Sequence, residues 1–395
     1  MLDPTYVANL RTGVEYRVEA QYLRAAQNLK FQRFTRIVPT NTLIQLYSHM
    51  ITDPLIEDYG EMGGGVRFED IVLGIQEWRN HYSKTGLSLP VSVMNDLQRN
   101  RGINIAAEWA TKLGAAWAYW PQRRSIKVLQ NGIYSSMITE NGNVIKLTCY
   151  DGLPLFTSDN ANPHPYNFKR ASLGGFVNLY KGAPDYTVDG VPQPGFLPVA
   201  GPFKKDSSTG EWKYDAGSSV SAEDGLQNLI DAVVAIRSVK MADGITPRFL
   251  APTGIIAGAK LQFPLSKILD AKFIAASSTG GGGTQDIQGT LIRLGMSEPI
   301  ILDELMGQTD PGIYEDYSYY LICEPNIAVS NFGAITFGVL EPFSLYMYSA
   351  VSGSAGVDYD LAVANEVRWV SQGRNLCGVG LPEFIFKSQA PVPAA

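Results

Sequence analysis

Asn95–Gly132, NDLQRNRGINIAAEWATKLGAAWAYWPQRRSIKVLQNG, is the stretch on which the fold turns. Between Ile103 and Trp120 there is no proline and there are six alanines, a composition that favours helix because alanine loses no side-chain entropy there. Ile103, Ala107, Ala110, Gly114 and Trp117 recur at four-three spacing, the mark of a buried helical stripe, with Ile105, Trp109, Ala116 and Trp120 as a second row beside it. Polar residues keep to a narrow strip: Asn104, Glu108, Thr111, Lys112 and Tyr119. A helix this apolar needs cover on more than one side. At the usual rise per residue it spans roughly 27 Å, enough to cross a domain. Pro121 is expected to end or kink it and to open a second helix, with Gly132 capping that second helix. Nothing on this spine has a catalytic character.

The rest of the chain decides what the spine supports. The chain has 395 residues, 45% hydrophobic and 18% charged, with 20 Tyr, 16 Phe and 6 Trp. Few charges and many aromatics suit a protein that buries much surface against partners, and equally one with a large core. A formal net charge of −6 argues against strong direct binding of a duplex, which needs a basic footprint. It does not argue against a container for nucleic acid, whose wall need not grip its contents. Cys149, Cys323 and Cys377 are far apart and odd in number, so they read as small buried hydrophobes with no disulfide framework. No apolar run is long enough for a membrane span, and residues 1–30 lack the apolar core of a secretion signal. A reducing cytosol, or something assembled there, is the expected setting.

Taken in order, residues 1–60 read as an arm, with a helix expected over Glu15–Leu29 and a short amphipathic helix over Leu43–Met50. Gly63-Gly64-Gly65 reads as a hinge. Ile71–Tyr82 and Thr85–Val93 alternate with period two and read as a hairpin turning at His81–Lys84. A lone hairpin is marginal in water, so it wants a surface to lie on. Val144–Tyr150 is a strand, Asp151-Gly152 a turn, and Leu155-Phe156 a return to the core. Residues 157–220, rich in Gly, Pro, Ser and Asn, read as a long surface excursion. Ser221-Ala222-Glu223-Asp224 caps a helix whose apolar face is Leu226, Leu229, Ile230, Val233, Val234 and Ile236, ending near Gly244. Pro247–Pro252 is a short buried strand, and helices are expected over Gly254–Phe263 and Leu265–Ala275. Ser277–Gln285 is a loop. Ile300–Leu302, Tyr319–Cys323, Ala334–Leu340, Tyr359–Trp369 and Leu381–Phe386 are strands. The fold class is α+β, an antiparallel sheet beside helices.

Each candidate for chemistry lacks its second component. Gly280–Gly283 has no following Gly-Lys-Ser/Thr, so it is not a phosphate loop. His49, His81 and His164 lie in unlike segments without ligands at metal spacing. His164, between two prolines and not far from Asp151 and Asp159, reads as part of a rigid polar turn more readily than as an acid–base group. Asp303 with Glu304, and Asp358 with Asp360, read as solvated loop charges. No catalytic, cofactor or metal residue is assigned.

Phe34-Thr35-Arg36-Ile37-Val38-Pro39, the two alternating runs, Asn95-Asp96-Leu97 leading through Gly102 into a helix with Gly114 and Pro121, Tyr150–Phe156 followed by His164-Pro165, the helix at Asp224–Val239 before Pro247–Pro252, and Asn365–Trp369 with Pro382-Glu383-Phe384 occur in a telling order. In that order they resemble the major capsid proteins of tailed bacteriophages, the HK97-type fold, and within it the Mu-like major head subunit family, over roughly residues 34–390. The resemblance implies an N-terminal arm (1–60), an extended hairpin loop (E-loop, 61–94) reaching over the next subunit, a peripheral domain carrying the spine helix (95–149), an axial domain (150–355) holding the excursion 157–220, and C-terminal strands (356–395) returning to the peripheral domain. It implies self-assembly through pentamers and hexamers into an icosahedral shell around double-stranded DNA, with portal, scaffolding and decoration proteins as partners. It also implies a virion location, assembly in the host cytoplasm, and no enzyme activity. Some relatives carry a cleaved N-terminal scaffolding segment; with so short an arm, cleavage is expected to be absent or complete. In one branch of the fold a hairpin lysine bonds covalently to a neighbour's asparagine; Lys84 lies near the expected tip, but no motif marks a partner and it reads as a solvated lysine.

Two alternatives stand beside this one. The same fold serves encapsulins, cellular shells that hold cargo protein. From a different class, the aromatic richness also fits a carbohydrate-acting enzyme or binding module.

Overall fold

The computed structural model describes residues 4–50, 73–90, 92–93, 105–139, 142–158, 162–167, 170–182, 187–188, 191–192, 194–270, 273–275, 284–286, 296, 298–310, 313–325, 333–347 and 366–393. The Gly63–Gly65 hinge, the Asn95–Gly102 approach to the spine, Gly280–Gly283, Asp358 with Asp360, and the strand expected from Tyr359 as far as Asn365 lie outside the described residues.

The spine is one helix, α2 (Ile105–Gln130), and α1 (Pro4–Ala26) lies along it. Val14 and Val18 of α1 are buried against Ala106, Ala110, Leu113 and Trp117. A Cβ on Gly114 would overlap the carbonyl of Val18, so the two backbones come into direct contact there. The helix of the arm thus lies on its own spine, in a groove that small side chains leave open. The expectation for Pro121 is corrected. The helix runs through it, because a proline removes one ladder bond while Trp117 and Ala118 before it, and Gln122, Ser125, Ile126, Val128 and Leu129 after it, are held by burial. Gly132 is no left-handed cap; its bare Cα makes room for the Phe156 ring, 2.9 Å from where a Cβ would stand. The second apolar row differs too. Ile105, Glu108, Lys112, Ala116, Tyr119 and Arg123 form an exposed stripe, with Trp109 and Trp120 half-buried at its margins.

The spine packs on a four-stranded sheet. Its strands are β1 (Thr35–Pro39), β4 (His81–Pro90), β13 (Ile335–Met347) and β14 (Glu366–Val379), in the order β1-β13-β14-β4. The Trp117 indole N–H donates to Ser371 Oγ at 2.8 Å, and Trp369 is buried beside it, which fixes α2 to β14. The run expected over residues 85–93 is strand as far as Pro90, but its partner is β14, which β4 meets along ten residue pairs, and His81–Lys84 is strand rather than turn. The other run, β3 (Leu73–Arg79), pairs with β2 (Ile44–Met50), the segment expected to be helical. In β2, Ile44, Leu46 and Ser48 alternate with Gln45, Tyr47 and His49; this period-two pattern outweighs the helix cap suggested by Asn41 and Thr42.

After a small hairpin, β5 (Ser136–Ile138) with β6 (Val144–Lys146), the chain enters the main core. Gly152 takes the left-handed φ that the Asp151-Gly152 turn requires, and Leu155 and Phe156 are buried. Residues 157–220 are not a surface excursion. Phe176, Val177, Leu179, Tyr180, Phe196, Leu197, Val199 and Phe203 are buried, and Leu179–Tyr180 (β7) adds an edge strand to a second sheet. Irregular backbone is tolerated inside because side chains satisfy it: Asn178 donates to the carbonyls of Leu155, Pro382 and Ile385 and accepts from the Thr157 N–H. A hairpin of β8 (Phe203–Lys205) and β9 (Trp212–Tyr214) follows.

The second sheet runs β11-β10-β12-β15-β7, from β10 (Leu250–Ala257), β11 (Ile300–Ile301), β12 (Ile313–Pro325) and β15 (Ile385–Ala390), with Gln308–Asp310 also paired to β12. Helix α3 (Ala222–Arg237) packs on β10; Ser221 caps it by accepting from the Asp224 N–H. Gly254–Ala257, expected as helix, is strand: Ile255, Ile256 and Ala257 are fully buried, and a strand covered on both faces reads as a continuous apolar run. Helix α4 begins later, at Gln262–Asp270. The C-terminal strands divide between the sheets, β14 in the first and β15 in the second.

Candidate assembly surface

The β2–β3 ribbon is a two-stranded element outside both sheets. One face is tied to the body. The amide of Gln76 donates to the Val379 carbonyl at 2.7 Å and the Trp78 indole N–H donates to the same oxygen at 2.9 Å. Trp78 sits over Gly378, where a Cβ would strike its ring, and Tyr47 packs on it with centroids 4.7 Å apart. Asn80 closes the base, donating from its backbone to Leu43 and from its side chain to Thr42. The opposite face is open. Directly paired residues share a face, so Ile44 and Leu46 of β2 lie with Leu73, Ile75, Glu77 and Arg79 of β3, all exposed; Leu46 is 66% and Ile75 63% accessible. Burying four such aliphatic side chains is worth roughly 1.5–3 kcal/mol each. A ribbon with one anchored face and one open apolar face is built to be covered. The two runs within residues 61–94 expected to form one hairpin do not pair with each other: β3 pairs with β2, and β4 with β14.

The titratable groups form structural contacts. His164 Nδ1 lies 2.6 Å from Asp151 Oδ2, both side chains sealed from solvent, and the imidazole packs on Phe176 at 5.3 Å. The two motifs Asp151-Gly152 and His164-Pro165 therefore meet in the core, where no substrate reaches them. Lys387 and Glu315 form a second sealed pair at 2.9 Å, with the Tyr320 hydroxyl donating to Glu315. His81 opens β4, and His49 pairs with Gly74 in the ribbon. Glu304 is no bare loop charge: it accepts from the Gln122 amide at 3.1 Å, joining the spine to the loop after β11. Asp303 is exposed. Lys84 is exposed and pairs with Gln372 in mid-strand, away from any hairpin tip. All three cysteines are buried, and burial pushes their thiols up, that of Cys377 to about 12. Among the described residues no cluster of His, Cys, Asp and Glu is placed to hold a metal, and no helix is long and apolar enough to cross a membrane. The open ribbon face escapes a reading of the sequence because it is split across two strands; the alternation within Ile71–Tyr82 marks one of them, and that in residues 44–48 is the local signal for the other.

No protein-family model matches this chain, and no curated protein sequence does. Its fold is similar to several solved structures. The procapsid of bacteriophage JBD30 aligns at 11% identity over 99% of this chain and 77% of that one, with a TM-score of 0.42. The capsid of the cyanophage P-SCSP1u aligns at 8% identity over 93% and 88%, with a TM-score of 0.46. The capsid of an empty GTA particle aligns at 10% identity over 92% and 89%, with a TM-score of 0.47.

Proposed function

We propose that this chain is the major capsid protein of a tailed bacteriophage, an HK97-type subunit of the Mu-like kind that assembles through pentamers and hexamers into an icosahedral shell around double-stranded DNA. The observation that carries the reading is the β2–β3 ribbon, clamped to its own subunit through Gln76 and Trp78 and presenting Ile44, Leu46, Leu73 and Ile75 to solvent. In a shell that face lies on the next subunit. The four-stranded sheet with α1 and α2 then serves as the peripheral domain, and the second sheet with α3 and α4 as the axial domain. The ordered motifs of the sequence support this assignment, and the buried contact between Asp151 and His164 ties two of them together. Portal, scaffolding and decoration proteins are the further partners of such a subunit, the host cytoplasm its place of assembly and the virion its destination. Its role is structural, without catalysis.

The double variant Leu46→Asp/Ile75→Asp tests the ribbon. Both side chains point outward, so the urea midpoint should move by no more than about 0.5 kcal/mol in free energy, while light scattering shows subunits or capsomers in place of shells. Normal shells from this variant would refute the role given to the ribbon. The encapsulin-type alternative shares the geometry and differs in contents; shells holding protein and no DNA would favour it.

A further inference from the structure

The chain is acidic overall, at −6, yet its spine is not. Helix α2 carries Lys112, Arg123, Arg124 and Lys127 against Glu108 alone, and Glu108 is held by Lys112 at 2.6 Å. The remaining three cations gather within about 6 Å of helix rise beside the exposed stripe. Together with Trp120 they line an open cleft of about 240 Å³. The Arg124 guanidinium lies over the Trp120 ring, 5.8 Å from its centroid, and Trp120 rests on Phe337 of the sheet, which fixes one wall. Arg124 also reaches the neighbouring strand: the imidazolium of His81 is disfavoured first by burial and then by Arg124 and Arg79.

From this geometry we infer that the Trp120–Lys127 cleft is a phosphate-contact site for the duplex inside the shell, so that the exposed stripe of α2 faces the packaged DNA. Convergent cations on one helix turn suit one or two adjacent phosphodiesters, and a rigid indole floor positions the guanidinium without reading sequence. Arg123, Arg124 and Lys127 each take part in other contacts within the chain, so a phosphate would share these groups. That fits weak, sequence-independent contact repeated over many subunits better than tight binding by one. An acidic peptide presents carboxylates singly along a flexible chain; a duplex presents phosphates as a dense, regular array, which a fixed cleft on a straight helix can meet. The inference rests on the shell reading and adds which wall of the subunit looks inward.

The test uses full-length subunits and a fluorescent 40-base-pair duplex, with anisotropy read between 50 and 200 mM salt. The wild-type chain should bind, and Arg123→Gln/Arg124→Gln/Lys127→Gln should weaken binding at least tenfold at 50 mM salt. Its log–log salt slope should be shallower by roughly 2, at about 0.9 for each phosphate the variant no longer neutralises. Lys213→Gln, on the distant β8–β9 hairpin, should leave both unchanged. Should the triple variant fail to fold, Arg123→Gln/Lys127→Gln spares the Arg124–Trp120 stack and should still lower the slope by about 1. No binding by the wild-type chain, an unchanged slope in the folded variants, or equally strong binding of polyglutamate would each overturn the site. Shell formation, scored separately by light scattering, distinguishes this from the parent reading: a wild-type chain that forms shells but fails the duplex test loses only the site, and one that never forms shells loses the reading beneath it.

Discussion

Gly114 shows how much one missing methyl group decides. In a helix interior, glycine to alanine normally stabilises by up to about 1 kcal/mol. Gly13→Ala on α1, with nothing within 4 Å of the new Cβ, should follow that rule. Gly114→Ala should reverse it, losing about 1–3 kcal/mol in urea denaturation, because its Cβ meets the Val18 carbonyl. Equal and stabilising shifts at both positions would rule out the close α1–α2 approach. Asn178 makes the same point for the irregular core. Asn178→Ala leaves the Leu155, Pro382 and Ile385 carbonyls and the Thr157 N–H without their side-chain partner and should cost roughly 2–4 kcal/mol; a loss under 0.5 kcal/mol would show that water replaces it. Neither role is legible in the sequence. Gly114 is readable as part of a buried stripe, but the carbonyl facing it lies 96 positions earlier. Asn178 sits in a stretch whose Gly, Pro and Asn content signals loop whether the loop is buried or not.

At the scale of elements, local patterns identify what local forces determine. The spine helix, the Ser221 cap, the Asp151-Gly152 turn and the strand within Tyr319–Cys323 all form near where periodicity and turn chemistry place them. Pairing is another matter. Residues 85–93 alternate as an edge strand should, but alternation does not name the partner, which is a strand near the other end of the chain. The ribbon escapes for the complementary reason: β2 has few β-branched residues and a cap-like Asn41-Thr42 before it, so weak local preference points to helix while pairing with β3 imposes strand. The exposed stripe of α2 follows the expected polar strip at Glu108, Lys112 and Tyr119; that it also takes in Ile105 and Ala116, expected in a second apolar row, depends on which flanks other elements cover, and composition holds no record of that.

For the whole molecule, the proposed role would leave the subunit incomplete alone: on that reading its ribbon face and α2 stripe meet different neighbours, the next subunit and the enclosed DNA. The spine's need for cover on several sides is met in part inside the chain, by α1 and the four-stranded sheet, and what stays open is the surface assembly would use. The most direct test is a cryo-electron microscopy map of the particles formed by the full-length chain. Closed shells with five- and sixfold centres are expected, in which Leu46 and Ile75 of each ribbon are buried against an adjacent copy. Closed shells with that ribbon face open to solvent, or a chain that stays monomeric under every assembly condition, would refute it.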